Sequence, residues 1–285
     1  MRTSLTPFDI KRKLQLLCVL ALLSTAGTSF ASCERTLQAP AWNAGQSIIV
    51  RNSKVAGILP NLLSKEVKKV GCEINFVSVP PSRAAEMFKN GTADLLMLTF
   101  KTPLREELGE FIPLIQGRAQ LISLDQKHTK ISTMQQLLTT PEVHLMMVRG
   151  YDFGADYQHL VVQLQKQGRV TFQPDALSVS RMMKRGIDGR TIATIMAPTV
   201  FYAAIFDDDR VGDMVDKLRL EPLNELPWAE TGTYLSKFSM QENDRQLLRT
   251  VLNDIAQSNA YWKEIQSNYP ARFLKESIRP IEKNH

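Results

Sequence analysis

Apolar positions along the chain switch between two spacings, and the switches predict the elements. Ser47-Ile48-Ile49-Val50-Arg51 is an apolar run short enough for a buried strand. Gly57 and Pro60 then open a stretch in which Leu62, Leu63, Val67 and Val70 share one helical face, and Gly71 closes it. Residues 73–79 (EINFVSV) alternate with period two and read as a strand. Pro80-Pro81 starts a helix packed through Ala84, Ala85, Met87 and Phe88, and Asn90-Gly91 stops it. Residues 93–99 (ADLLMLT) form the continuous apolar run of a central parallel strand.

The middle of the chain repeats this rhythm. It predicts a strand over 142–148, a helix over 155–166, a strand over 169–172, a helix over 176–185, a turn over 186–189 and a strand over 191–196. The tail predicts helices over 244–257 and 260–266. Strand and helix in strict alternation imply an α/β fold with right-handed crossovers and mostly parallel sheets. There is no repeat and no low-complexity linker.

The first residues belong to a different pattern. Arg2, Lys11, Arg12 and Lys13 precede an apolar run from Leu14 to Leu23, and small residues lead to Ser29-Phe30-Ala31. That order is the one expected of a cleaved secretory signal over 1–31. The apolar run is half the length of a membrane-spanning helix. Phe30-Ala31-Ser32-Cys33 is also a loose match to a lipoprotein box, which would put a lipid on Cys33. Phe30 in place of an aliphatic residue, and the polar stretch Ser24–Ser29, favour ordinary cleavage.

Processing changes the composition. The leader carries four basic residues and one acid, so the net charge falls from +6 to +3 on its removal. No run of Lys and Arg is interleaved with aromatics, which argues against nucleic-acid binding. Cys18 leaves with the leader, and Cys33 and Cys72 remain. In an oxidising compartment they are expected to pair, closing a loop worth about 3–4 kcal/mol; the alternative is two free thiols. The absence of Cys-x-x-Cys excludes a redox motif of that kind.

PPSRAAEMFKNGTADLLM followed by TFKTPLREELGEFIPLI resembles the first lobe of type II periplasmic solute-binding proteins, the bacterial extracellular family 3 group. The shared pattern is a helical Arg (Arg83), a Gly-x-x-Asp turn (Gly91, Asp94) and a Thr-x-x-Arg loop (Thr102, Arg105). VRGYDFGADYQ resembles the start of the second lobe, and GTYLSKFS with the helices ending at NYP resembles the return to the first. The resemblance implies a two-lobed periplasmic-binding-protein fold, each lobe a mostly parallel sheet flanked by helices. Lobe one would hold 33–122 and 222–285, lobe two 123–221, with two crossing segments as hinge and ligand caught between the lobes.

Ligands of open α/β sheets sit beyond the carboxyl ends of the strands. Here those ends are 51–52, 80–83, 99–105, 149–152 and 197–199. In amino-acid-binding members the Arg matching Arg105 holds the ligand carboxylate, which suits a guanidinium fork; the bland alternative is pairing with Glu106, Glu107 or Glu110. Arg83 would add positive charge, or merely pair with Glu86. Thr99, Phe100 and Thr102 flank Arg105. Arg149 and Gly150 precede a helix whose N–H groups suit an anion, and Tyr151 would cover the ligand. Thr199 is a second-lobe candidate, with Tyr202 behind it, and Trp228 is a hinge or packing aromatic. Asp94 is expected to serve its turn rather than ligand.

Two departures from the family stand out. No aromatic-Pro pair follows the strand at 47–51, and 197–199 (APT) lacks the Asp that often meets a ligand ammonium. An anionic or carboxylate ligand is therefore the expectation. The four His residues have no metal-ligand spacing, Asp152-Phe153-Gly154 stands alone, and Asn90-Gly91-Thr92 matters only to a host that glycosylates it. No cofactor, metal or catalytic residue is expected. The expected partners are a small-molecule ligand and an inner-membrane ABC permease or sensor, met by a monomer in the periplasm. The competing readings are a dehydratase-like enzyme on the same fold and a binding protein with a decayed cleft.

Overall fold

A computed structural model describes residues 32–124, 129–187, 189–206, 208–275 and 277–281. The predicted leader lies outside them, as do Asp188 of the predicted turn and two of the four His residues. Residues 32–285 form one compact unit.

The first strand layer holds β1 (Leu37–Ala41), β4 (Ile74–Ser78), β5 (Leu95–Phe100), β6 (Gly109–Gly117), β12 (Ala229–Ser236) and β13 (Ile278–Arg279), divided into a two-stranded and a four-stranded sheet. β1 pairs in parallel with β4, and the order β13-β6-β12-β5 continues beside them. The Asp94 N–H donates to the Gln38 carbonyl at 2.8 Å, joining β1 to the start of β5. The second sheet has the order β11-β7-β10-β8-β9, from β7 (Gln120–Ser123), β8 (Val143–Val148), β9 (Val170–Gln173), β10 (Thr191–Met196) and β11 (Arg219–Glu221). β8 is parallel to both β9 and β10, while β7 runs antiparallel. Every residue of β8 and β10 is buried, as expected of central strands covered on both faces.

The helices follow the predicted periodicity. Ile58–Lys69 buries Leu59, Leu63 and Val67 one turn apart and ends in Lys68 and Lys69, which complement the helix dipole. Pro81–Lys89 starts with Pro at its first turn and buries Ala84 and Phe88. Ala155–Lys166 and Ala176–Arg185 match the predicted bounds.

Three expectations are corrected. The stretch 47–51 does not join the parallel sheet. β2 (Ile49–Arg51) and β3 (Lys54–Ala56) form a half-exposed hairpin, turned by Asn52 and Ser53 at φ 50° and 62°. The first parallel strand is β1, whose sequence LQAPA carries a Pro and two Ala residues and so lacks the usual strand signature. Residues 120–122, assigned from sequence to the first lobe, pair in the second sheet. The chain thus passes between the sheets at 118–119 and again at 222–228.

The predicted disulfide is present: Cys33 and Cys72 are bonded, with Cα atoms 4.8 Å apart. Beside it, Asp94 is buried and accepts from Arg35 (2.7 and 2.6 Å), Ser239 Oγ (2.6 Å) and the Gln38 N–H (2.7 Å). Burial alone would raise its pKa, but these donors outweigh burial and hold the carboxyl below its ordinary value. Asp94 anchors the N-terminal segment and the turn into β5, away from the cleft.

Candidate functional site

The carboxyl ends of β1, β5, β8 and β10 converge on a cavity of about 100 Å³ between the two sheets. At about 10–15 Å³ per water-sized group, it holds about seven to ten such groups, the size of a small metabolite. Trp42 follows β1; Leu98, Thr99 and Phe100 end β5; residues 150–153 follow β8; Ala197 and Thr199 follow β10. Thr231 of β12 and Ser277-Ile278 near β13 also line the cavity.

Leu98 has φ 47°, a conformation unusual for a branched apolar residue. The pairing of β5 with β12 shifts register there, between Gly232 and Tyr234. Such a bulge re-aims side chains at the end of a strand, and Leu98 and Thr99 both reach the cavity.

Arg105 comes from the short helix Pro103–Leu108. Thr102, at its N-cap, donates its N–H to the Tyr234 hydroxyl (3.0 Å) and fixes the start of the helix. Arg105 Nη1 donates to the Phe100 carbonyl at 3.0 Å, which turns the guanidinium along the cavity wall. Among the described residues Arg105 forms no ion pair, so Glu106, Glu107 and Glu110 do not take it up. Burial pulls its pKa below the ordinary arginine value, and Asp152 and Tyr234 oppose the shift. Arginine remains charged regardless, so the cavity holds a poorly solvated cation with donors to spare.

Asp152 stands on the same cavity. Its Oδ1 accepts from the Gly154 N–H and from Gln158 Nε2, both at 3.0 Å. Its other oxygen has no hydrogen-bond partner among the described residues. Asp152 therefore supplies the negative charge at the start of the helix Ala155–Lys166, where the sequence reading expected an external anion.

Aromatic residues close the space. Phe100 meets Phe153 edge-on at 5.0 Å across the two sheets, and Phe153 meets Tyr157 at 4.9 Å. Tyr151 is a hydrogen-bond partner of Trp42, and burial pushes its hydroxyl pKa up, with Asp175 adding to the rise. On the opposite wall the Tyr261 hydroxyl donates to Ser47 Oγ at 2.7 Å. Gly150, at φ 90°, lies so close to Ser82 that a Cβ would fall 2.5 Å from its nitrogen. The second sheet's loop thus seats directly on the first turn of the helix Pro81–Lys89.

The structure brings together Arg105, Thr99, Phe100, Gly150, Tyr151 and Thr199 from the predicted set. It leaves out Arg83, which is exposed and paired with Glu86 at 2.8 Å. It leaves out Thr102, buried beneath the Arg105 helix. It leaves out Arg149, exposed over the Phe172 ring at 5.5 Å, with its N–H continuing the sheet to Gln173. Tyr202 packs on Phe273, and Trp228 lies under Arg279 in the second crossing segment. Sequence reasoning missed Trp42, because β1 itself was missed. The absent aromatic after the first strand is thus an aromatic displaced from where it was sought. It also missed Thr231, Ser277 and Ile278, which arrive from the far end of the chain. No cluster of His, Cys, Asp or Glu among the described residues suits a metal ion.

No protein-family model and no curated protein sequence matches the chain. Solved structures do. The chain is similar to EhuB in complex with hydroxyectoine, at 16% identity and TM-score 0.64, over 85% of this chain and 92% of that one. It is similar to AbpA, an amino acid ABC transporter substrate-binding protein from Streptococcus pneumoniae bound to L-arginine, at 15% identity and TM-score 0.61, over 82% and 94%. It is similar to an ancestral amino acid-binding protein described as a precursor of cyclohexadienyl dehydratase, at 15% identity and TM-score 0.61, over 82% and 96%. With two sheets of this order, two crossings and a cavity at the strand ends, the chain has the two-lobed periplasmic-binding-protein fold of these proteins.

Proposed function

We propose that the protein is a solute-binding receptor that catches a small, carboxylate-bearing, amino-acid-like ligand between its lobes. The observation that carries this reading is Arg105: a partly buried guanidinium on a cavity wall with no ion pair among the described residues. Burying such a charge is costly unless an anion arrives to pair with it. A carboxylate fits the fork with two parallel bonds. Asp152, with a free oxygen on the same cavity, suits the ligand's ammonium. It takes the part sought in vain at 197–199. Phe100, Phe153, Trp42 and Tyr151 wall off the remainder, and Thr99 and Thr199 border it.

In this reading residues 1–31 export the chain to the periplasm as a monomer. There it hands ligand to an inner-membrane ABC permease or reports it to a sensor. Native mass spectrometry of the protein purified from its own compartment tests the capture. A co-purified carboxylate, lost in Arg105→Met, is expected; a neutral or cationic solute retained by that variant refutes it. The similarity to a dehydratase precursor and the presence of Asp152 in the cavity favour one enzymatic alternative. Recovery of the ligand chemically unchanged after long incubation separates receptor from enzyme.

A further inference from the structure

Arg105 and Asp152 stand where two spaces meet. Both line the inner cavity and also an outer groove of about 400 Å³ that opens past Leu104 and Phe172. The outer groove carries charges of both signs, Glu86 and Lys89. The described residues that line only the inner chamber carry none. Trp42, Leu98, Phe100, Ile115 and Phe153 dominate it, and the hydroxyl of Tyr261 is taken up by Ser47.

One polar atom in that chamber is unanswered. Thr231 is 7% exposed, lines the cavity, and its Oγ1 has no hydrogen-bond partner among the described residues. It lies against Gly117, where a Cβ would fall 2.7 Å from Oγ1 and 3.3 Å from the Phe100 ring. A buried hydroxyl without a partner costs stability, so its retention on a cavity wall points to a ligand atom that answers it.

Resting on the carboxylate reading of Arg105, we propose that the ligand points an uncharged limb into the inner chamber, where Thr231 bonds to a neutral polar atom on it. The chamber rejects a limb that carries an ammonium, guanidinium or second carboxylate, because no described residue lining only that chamber pairs with it. A limb turned outward into the groove would escape this selection, so charge discrimination reports the limb's direction.

Two pairs of probes isolate charge from size: L-norleucine against L-lysine, and L-glutamine against L-glutamate. Isothermal titration of the purified protein, stripped of ligand by denaturation and refolding, is expected to show the neutral member of each pair binding at least about a hundredfold tighter. Thr231→Val is expected to weaken L-glutamine about tenfold and leave L-norleucine unchanged. Equal binding of charged and neutral members overturns the inward, uncharged limb while leaving the carboxylate reading intact. Binding of none of the four overturns both. An equal loss of both neutral probes in Thr231→Val makes that residue structural and removes it from ligand recognition.

Discussion

Replacing Gly150 with alanine tests whether the described arrangement is the ligand-holding one. Gly150 has φ 90°, and an added Cβ would meet Ser82 N at 2.5 Å, Ser82 Cα at 2.6 Å and the Pro81 carbonyl carbon at 2.9 Å. All three are backbone atoms, so no side chain can swing aside. Two costs follow, and they fall on different states. A positive φ costs an L-residue about 1–2 kcal/mol, whether or not the lobes touch. Overpacking against Ser82 costs about 1–3 kcal/mol, and only when the lobes touch. The first lowers the melting temperature. The second subtracts from binding, which is about a 5- to 150-fold loss of affinity at 1.4 kcal/mol per decade.

Gly154 supplies the control. Its φ is 101°, yet nothing lies within 4 Å of the position its Cβ would take. Gly154→Ala therefore carries a backbone cost of similar size without the clash. Both variants are expected to melt earlier than the parent, and only Gly150→Ala is expected to bind weakly in titration and stay expanded in small-angle scattering with ligand present. If the two variants bind alike, contact between residue 150 and Ser82 has no part in capture.

Arg105→Met is expected to abolish binding of carboxylate probes by titration while leaving the thermal midpoint unchanged or raised, since it removes a desolvated charge; a variant that binds normally refutes the proposed role. Cys33→Ser with Cys72→Ser opens a loop with a sequence separation of 39, and is expected to cost about 4 kcal/mol, read as a lower urea midpoint; an unchanged midpoint shows that the bond does not limit stability. His144 is buried between Thr171 Oγ1 (2.9 Å) and Arg190 Nη1 (3.1 Å), and burial first, then Arg190 and Arg169, hold its pKa below the ordinary 6.5. The unfolded chain therefore takes up the proton first, so this residue is expected to lower stability progressively as pH falls below about 6.5. His144→Gln flattens that part of the curve; parallel pH profiles for parent and variant would exclude the effect. Asp94→Asn leaves Arg35 without its carboxylate and is expected to cost about 3 kcal/mol at neutral pH. The difference from the parent shrinks as acid titrates Asp94 through its depressed pKa.

The parts of the fold that the sequence made legible are those whose signal is local. Helices 58–69, 155–166 and 176–185 show one buried stripe each, and β8 and β10 are mostly apolar and buried without a break. β1 was illegible because its role is positional. Leu37–Ala41 lies between β4 and the start of β5, where small residues and Pro40 are tolerated because neighbours on both sides supply the packing. The hairpin 49–56 took its place in the reading because Ile48 and Ile49 look like a strand core, although Asn52 and Ser53 turn the chain straight back.

The site divides along the same physical line. Arg105, Phe100 and Tyr151 follow predicted strands directly, so locating the strand located the residue. Arg83 and Arg149 follow strands too, yet point elsewhere, because a residue at a strand end has two faces to choose from and only packing decides. Thr231 and Ser277 lie more than a hundred residues from Arg105 and reach the cavity through antiparallel pairing of β12 and β13 with β6. Nothing in their local sequence marks them, because what distinguishes them is where the final strands close the sheet. The residues proposed to hold a ligand's charged end were therefore accessible to reasoning from pattern. Those proposed to select its other end become visible only once long-range pairing is known.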